Sequence, residues 1–197
     1  KIIVTGGTGI LQTAGTVENK GEIKVSKGTG ILQKGGTVNT TGTILAIGGT
    51  GIIIEGGTTN NGGNIEASNG KSGISLNGTG TFNNSFTDSE GKIQAGIIKV
   101  SGTNSKGIHF GAKDGEIANN AGTIEVTSGG IGAYFGGNGT YNNQKGSNII
   151  VSGKVVEQVF KEDGTPDLDE NGNPKYKTTV SKGIFLNSKG TATNEGN

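Results

Sequence analysis

The residues with the clearest chemical potential lie between Asp167 and Gly172. Asp167, Asp169, Asn171 and Gly172 have the spacing of the first half of an EF-hand calcium loop, in which alternating oxygen ligands precede a glycine at a sharp turn. The twelfth position of such a loop should be a bidentate glutamate, but here it is Thr178. Because the strongest ligand is missing and no flanking helices are predicted, we interpret these residues as turn formers and predict no metal site.

His109, the single histidine, is the other candidate for chemistry. Catalysis would require a serine or carboxylate partner at a matching position, and the sequence proposes none. A β-helical lyase or hydrolase would gather carboxylates on one face, whereas Lys24, Glu66, Lys99 and Glu125 alternate in sign along the repeats. We therefore predict no catalytic residues, no cofactor and no enzyme activity.

Most of the chain is built from repeats. GILQTAGTVENKGEIKVSKGT and GILQKGGTVNTTGTILAIGGT follow one another from Gly9, so that Gly9, Gly30 and Gly51 are 21 residues apart. An internal period of this size is typical of a solenoid, in which each unit buries its apolar side chains against its neighbours. Further copies open at Gly73, Gly107, Gly132 and Gly183.

Each repeat contains three short segments, named here the Gly-Ile, Thr-Val and Ile-Val segments after their first residues. Each is too short for a helix, and alternation places residues i and i+2 on the same face of a strand. Between the inward positions of the Ile-Val segments the residues are mostly polar. The predicted inward columns are Ile10, Ile31, Ile52, Ile74, Ile108, Ala133 and Ile184; Gln12, Gln33, Ile54, Leu76, Phe110, Phe135 and Leu186; Val17, Val38, Thr59, Phe82, Ile117, Tyr141 and Ala192; and Ile23, Ile44, Ile65, Ile98, Ile124 and Ile149.

Three strands per repeat, joined by tight corners, predict an all-β fold. We expect residues 1–197 to form a single right-handed parallel β-helix with three strands per rung and a period of about 21 residues, each rung adding about 4.8 Å. An asparagine ladder at one corner supports this register, since stacked amides can hydrogen-bond from rung to rung. Its predicted members are Asn19, Thr40, Asn61, Asn84, Asn119, Asn143 and Asn194.

Two insertions interrupt the repeats. The first, at about residues 85–96, predicts a corner loop that either contacts a partner or is neutral, as solenoid corners tolerate. The second, residues 154–182, has β-prone arms at Val155–Phe160 and Tyr176–Val180 around a centre rich in Asp, Asn, Gly and Pro. This pattern predicts a projecting β-hairpin. The hairpin either contacts a partner or packs against the rod.

An outward column of the Gly-Ile segments is unexpectedly apolar. Contiguous exposed apolar residues mark interaction sites, unless other parts of the protein cover them. Tyr134, His109 and Phe185 could stack on sugar rings or contact a protein. The column is Leu11, Leu32, Ile53, Ser75, His109, Tyr134 and Phe185. With the hairpin, the candidate partner-binding residues are Tyr134, Phe185, His109, Phe160, Asp167, Asp169 and Tyr176.

Composition limits the function further. The 41 glycines follow no every-third-residue pattern, which excludes collagen, and the net charge of +1 gives no electrostatic case for nucleic acid. Cysteine is absent, which removes disulfides and thiol chemistry. No apolar run of transmembrane length and no signal peptide is recognisable. The sequence begins and ends within a rung, so we expect a fragment of a longer repeat protein.

The repeated pattern G-[TS]-G-I followed by T-V-x-N-x-G-x-I-x-V resembles the passenger domains of type V autotransporters. The Gly, Asn, Thr, Ile and Lys bias without cysteine is similar to the large fusobacterial autotransporter adhesins. This resemblance implies export, display at the cell surface through a C-terminal outer-membrane barrel absent from this chain, and attachment to host cells or other bacteria through a protein or glycan receptor. It supplies no ligand or catalytic residues. A structural spacer without binding of its own is the alternative, and a polysaccharide-active enzyme is less favoured.

Overall fold

Three parallel β-sheets of seven strands each form the molecule, which is a β-solenoid. The computed structural model describes residues 1–111 and 113–197. These residues contain no helix long and apolar enough to cross a membrane. The predicted parallel β-helix with a projecting hairpin is confirmed.

The strands follow one another around the solenoid, one from each sheet per rung. Rungs 1 to 4 contain β1 (Ile2–Val4), β2 (Thr8–Gln12), β3 (Thr16–Asn19), β4 (Glu22–Val25), β5 (Thr29–Gln33), β6 (Thr37–Thr40), β7 (Thr43–Ala46), β8 (Thr50–Ile54), β9 (Thr58–Asn61), β10 (Asn64–Ala67), β11 (Ser72–Leu76) and β12 (Thr81–Asn83). The first insertion adds β13 (Ser85–Thr87) and β14 (Ile93–Ala95). Rungs 5 to 7 contain β15 (Ile97–Ser101), β16 (Lys106–Phe110), β17 (Ile117–Asn120), β18 (Thr123–Thr127), β19 (Ile131–Phe135), β20 (Thr140–Asn143), β21 (Asn148–Val151), β24 (Lys182–Leu186) and β25 (Thr191–Asn194), with the hairpin strands β22 (Lys154–Gln158) and β23 (Tyr176–Val180) between β21 and β24.

Each sheet collects one kind of segment. The Ile-Val sheet has the order β1-β4-β7-β10-β15-β18-β21, the Gly-Ile sheet β2-β5-β8-β11-β16-β19-β24, and the Thr-Val sheet β3-β6-β9-β12-β17-β20-β25. In rungs 2 to 6 the glycine that opens the Gly-Ile segment is buried at the corner with the Ile-Val sheet. A Cβ built on Gly30 would lie 2.5 Å from the carbonyl oxygen of Gly51 and 3.0 Å from Cγ2 of Val25. The repeat therefore requires glycine here because the rungs and the core leave no room for a side chain.

A narrow core runs along the axis of the solenoid. The isoleucines and valines of the predicted columns are buried in rungs 2 to 6, apart from Ile117, and the largest buried side chains include Phe82, Phe110, Phe135 and Tyr141. In rung 7, which has no further rung beyond it in this chain, Ile149 and Ile184 are only partly buried, and Leu186, predicted to face inward, is 48% exposed. Phe110 and Phe135 stack with ring centroids 4.2 Å apart and planes 7° from parallel. The core is thus aliphatic in the first rungs and increasingly aromatic in the later ones.

Two glutamines occupy the same inward column in rungs 1 and 2. The side chain of Gln33 is fully buried, and its Nε2 donates to the carbonyl oxygens of Gly36 (2.9 Å) and Thr58 (3.1 Å). Its Oε1 accepts a hydrogen bond of 2.6 Å from the hydroxyl of Thr59. These bonds offset the cost of burying the amide and link one rung to the next corner.

The prediction for rung 5 is wrong by one residue in the Thr-Val sheet. Ala118, not Ile117, pairs with Phe82 and faces the core, whereas Ile117 pairs with Thr81 and is 37% exposed. A shift of one residue moves every side chain of a strand to the other face. Asn119 accordingly points outward, and Asn120 takes the ladder position that was predicted for Asn119.

The corrected inner ladder runs through the interior beside the Thr-Val sheet. Asn61 donates to Asn84 (2.8 Å), Asn84 to Asn120 (2.7 Å), Asn120 to Asn143 (2.7 Å) and Asn143 to Asn194 (2.7 Å). In rungs 1 and 2, Asn19 similarly donates to the hydroxyl of Thr40. Every one of these amides donates toward the C-terminal end of the solenoid.

A second ladder, which the sequence analysis missed, covers the outer face of the same strands. Asn39 donates to the carboxylate of Glu18 at 2.7 Å, and four bonds of 2.9 Å continue the series rung by rung. In this outer ladder each amide donates toward the N-terminal end. Its members are Glu18, Asn39, Asn60, Asn83, Asn119 and Asn142.

Candidate partner-binding surfaces

The second insertion forms an exposed hairpin whose tip divides into two further turns. The stem pairs β22 with β23 in antiparallel register. Beyond it, antiparallel bridges join Phe160 to Pro166 and Leu168 to Pro174. The end of the stem and two short lobes therefore meet at one point. We call these three parts, residues 159–176, the three-lobed tip.

Three backbone hydrogen bonds close this meeting point in a ring. The amide of Val159 donates to the carbonyl oxygen of Lys175 (2.9 Å), that of Lys175 to Asp167 (2.8 Å), and that of Asp167 to Val159 (2.8 Å). These residues are eight positions apart in the sequence, so the stem and the lobes make equivalent contacts.

One face of the tip carries three large apolar side chains. Asp167 and Lys175 share the opposite face, where they form an ion pair of 3.2 Å. The next residues, Phe160, Leu168 and Tyr176, point the other way because side chains alternate along extended backbone. They are 56%, 43% and 61% exposed, respectively. Phe160 and Tyr176 were predicted as binding residues, whereas Leu168 was missed because its apolar side chain stands alone among acidic residues.

The aspartates of the lobes stabilise the turns through hydrogen bonds and an ion pair. Oδ1 of Asp169 accepts hydrogen bonds from the amides of Asn171 and Asn173, both at 2.9 Å, and these bonds hold the pKa of Asp169 below its usual value, that of Asn173 contributing most. The carboxylate of Asp167 forms an ion pair with Lys175. Within residues 1–111 and 113–197, no three acidic or histidine side chains come together as metal ligands. The two hydrogen bonds accepted by Asp169 show that this carboxylate caps the backbone of a tight turn.

The hairpin is joined to the rod at the corner between the Ile-Val and Gly-Ile sheets. Ser181 Oγ accepts a hydrogen bond of 3.0 Å from the amide of Gly129, and the side chain of Thr179 lies against the same glycine. The stem is otherwise largely exposed. Of the two predicted alternatives, packing against the rod applies only to this root, and the tip remains open.

The predicted apolar column, which we call the aromatic stripe, has the predicted register. His109 pairs with Tyr134, and Tyr134 pairs with Phe185, on neighbouring strands of the Gly-Ile sheet. Their ring centroids are 5.4 and 5.6 Å apart, with planes tilted by 43° and 44°. At the far end of the column Leu11 is 60% exposed. Leu32, Ile53, His109, Tyr134 and Phe185 are only partly exposed, and Ser75 is buried. The stripe is therefore partly accessible and is largely exposed only at Leu11.

Lysines that the sequence analysis missed accompany the rings. The Nζ of Lys106 lies 5.0 Å from the ring centroid of Tyr134, and that of Lys182 lies 4.5 Å from the ring of Phe185. Such cation–π contacts orient the ammonium groups over the rings. Both lysines occupy the first position of their strands, three residues before an outward ring, and this spacing could have identified them.

His109 does have a serine neighbour, contrary to the prediction. Its Nδ1 is 3.4 Å from the hydroxyl of Ser75, which lies in the same stripe and donates to Asn77 at 3.0 Å. Burial, assisted by the charge of Lys106, lowers the pKa of His109, so the ring is neutral at pH 7. No carboxylate contact orients the imidazole among the described residues, and we attribute the pair to packing within the stripe.

The first insertion, predicted as a loop, is a small antiparallel hairpin of β13 and β14. Phe86 and Gln94 pack over Gly62, at the corner between the Thr-Val and Ile-Val sheets, away from the stripe. Between this hairpin and the rod lies a groove of about 340 Å³. Its lining is largely polar and consists of Glu18, Lys20, Thr41, Phe86, Asp88, Ser89 and Gln94.

An unusual carboxyl group lies at the corner between β16 and β17. Glu116 is buried at a position that Gly80 and Gly139 occupy in the adjacent rungs. Burial raises its pKa to about 7, and the charge of Asp114 adds to the effect, whereas the Gly111 backbone and Lys113 oppose it. The corner thus contains a group that titrates near neutrality.

Comparison with protein-family models, with the curated proteins and with solved structures gave no match for this chain.

Proposed function

We propose that residues 1–197 are a segment of a surface-displayed adhesin, of the autotransporter type that the repeats resemble, which attaches bacteria to host cells or other bacteria. The observation that carries the proposal is the tip of the second hairpin, where three large apolar side chains are 43% to 61% exposed. A soluble protein gains nothing in stability from such exposure, and contiguous exposed apolar residues are typical of interaction sites. The rod holds this tip and the aromatic stripe in fixed positions.

The receptor in this proposal is a protein or a glycan. The stripe offers rings and lysines, which suit the apolar faces and acidic groups of sugars, whereas the tip offers a convex apolar surface, which suits a protein pocket. The two surfaces can be separated by mutation. The net charge of +1 for the whole chain gives no support for nucleic acid as a partner.

The test is binding of the purified chain to host cells, partner bacteria and arrayed glycans. The first variant replaces residues 154–181 by a turn of rung length and so keeps Lys182 of the stripe, and the second carries Tyr134→Ala and Phe185→Ala. A matched control replaces the first insertion, residues 85–96, by a similar turn, because it removes a hairpin of the rod without touching the tip or the stripe. Circular dichroism must show the same β-rich spectrum for all four proteins.

Binding that is lost in the first or second variant but kept in the control supports the proposal and assigns the surface. If the folded parent chain binds none of the cells, bacteria or glycans, the adhesin proposal for this segment is wrong.

A spacer that separates a distant binding region from the cell is the second candidate. Rungs 1 to 3 favour it, since they repeat with an unbroken period and carry no insertion. In that case every variant, including the parent, would fold and none would bind.

A further inference from the structure

The two exposed surfaces of the chain have opposite charges. The three-lobed tip, residues 159–176, contains five acidic side chains and two lysines. Asp167 and Lys175 neutralise one another on the far face. Glu162, Asp163, Asp169 and Glu170 remain around the lobes with only Lys161 opposing them.

The aromatic stripe is basic. Lys106 and Lys182 lie over its rings, and the charge of Lys71, second to burial, lowers the pKa of Lys106, which places a third ammonium group nearby. None of the seven strands of the Gly-Ile sheet contains an acidic residue.

Both surfaces also present three large side chains of similar character. The tip offers Phe160, Leu168 and Tyr176, and the stripe offers two rings beside a neutral histidine. The tip is not seated on the stripe of its own rod, since its three apolar side chains are exposed. Opposite charge around matched apolar centres is the arrangement that steers and fixes a specific contact.

We propose that the three-lobed tip of one molecule docks on the aromatic stripe of a second copy of the same chain. The contact joins two different surfaces, so a pair of molecules leaves one tip and one stripe free. Such heterologous contacts add further copies in a head-to-tail series. Because the tip is small, the contact belongs with weak interfaces below about 1,200 Å² and requires high protein concentration.

The first measurement is sedimentation equilibrium of the purified chain over a wide concentration range. We expect the average mass to rise beyond that of a dimer, and the association to weaken when the ionic strength is raised, since salt screens exposed charges. A chain that remains monomeric at every concentration in low salt overturns the proposal.

Charge reversal provides the specific test. Glu162→Lys with Glu170→Lys makes the tip basic, and both residues are exposed side chains of the lobes. Lys106→Glu with Lys182→Glu makes the stripe acidic. Each double variant alone then has a tip and a stripe of the same sign, and we expect its self-association to weaken by about tenfold or more, because like charges across an interface cost several kcal/mol.

An equimolar mixture of the two double variants restores opposite signs at every contact, and we expect it to associate like the parent chain. A mixture that stays monomeric, or double variants that associate unchanged, overturns the proposal. A chain in which residues 154–181 are shortened to a turn is a second check, since it lacks a tip but keeps Lys182 and the rest of the stripe. Alone it stays monomeric, and added to the parent it limits the growth of the series. These measurements involve no receptor, so their outcome and that of the adhesion test are independent.

Discussion

Rungs 1 to 3 and rungs 5 to 7 share one scaffold but fill it differently. In one inward column of the Gly-Ile sheet the first rungs place Gln12 and Gln33, whereas later rungs place Phe110 and Phe135. The glutamines are hydrogen-bonded to corners of their own and the next rung, and the phenylalanines stack on one another. The comparison teaches that the period and the ladders specify this fold, while the chemistry of the column can vary.

The outer features divide in the same way. The first rungs are plain, and both the second hairpin and the ringed part of the stripe belong to rungs 5 to 7. Rungs bury their apolar side chains mainly against their neighbours, so a corner can be elaborated without disturbing distant rungs. If the two halves differ as described, substitutions in each should have effects of different size.

The largest effect is expected in the aromatic part of the core. Phe135→Ala removes a fully buried ring from its stack and should lower the free energy of unfolding by about 3 to 5 kcal/mol. Ile52→Val, which removes a single buried carbon in the plain half, should cost about 1 kcal/mol. Urea unfolding followed by circular dichroism measures both. A loss for Phe135→Ala no larger than that for Ile52→Val would contradict the burial of the Phe135 ring in the core.

The next effect separates the two faces of one strand at the junction of the halves. Asn84→Ala leaves the buried amide of Asn61 without its acceptor and leaves the oxygen of Asn120 with only the long bond from the Gly122 amide, so we expect a loss of about 2 to 4 kcal/mol. Asn83→Ala interrupts the outer ladder, where water can replace the amide, and should cost less than about 1 kcal/mol. Unfolding in urea compares them, and a larger loss for Asn83→Ala would contradict the assignment of inner and outer ladders.

Replacing a glutamine of the inward Gly-Ile column by an apolar residue should destabilise the protein. Gln33→Leu removes the acceptor of the Thr59 hydroxyl and the donor to two carbonyl oxygens, which we expect to cost about 1 to 3 kcal/mol. Thr59→Val in the same protein removes the orphaned hydroxyl and should recover part of the loss. A stabilised Gln33→Leu chain would show that the glutamine contributes no net hydrogen-bond energy.

Glu116 should make stability depend on pH. Its pKa is raised from 4.5 to about 7 in the folded chain, so the folded state retains a proton that the unfolded state loses between these values. This group's contribution to stability therefore falls as pH rises from about 4.5 to about 7. Thermal unfolding at pH 5 and pH 8 should show a smaller difference for Glu116→Gln than for the parent. An unchanged difference would assign the pH dependence to other groups.

The smallest effect is expected from shortening residues 154–182 to a turn. The hairpin root contributes one hydrogen bond between Gly129 and Ser181 and little buried surface, so the free energy of unfolding should change by no more than about 1 kcal/mol. Urea unfolding of the shortened chain tests this. A large loss would mean that the hairpin is part of the core of the elaborated half.

The sequence predicted the three sheets and most of the core because period and alternation together leave little choice of register. The prediction failed at β17, where extra corner residues shift the register. The apolar Ile117 was taken as the inward residue, but the small Ala118 beside it faces the core. The outer ladder was missed because asparagine is typical of turns, so these residues were not expected in strands. The ring of hydrogen bonds in the tip depends on three separate strand ends meeting, which no local pattern specifies.

The opposite directions of the two ladders have an electrostatic consequence. Each amide is a dipole lying along the rod, and the inner and outer series point toward opposite ends. Their fields largely cancel, unlike the aligned peptide units of an α-helix, which sum to partial charges at its termini. The ladders can thus gain rungs without accumulating polarity, and Glu18, at the end of the outer ladder, is the one member of the two ladders with a formal charge.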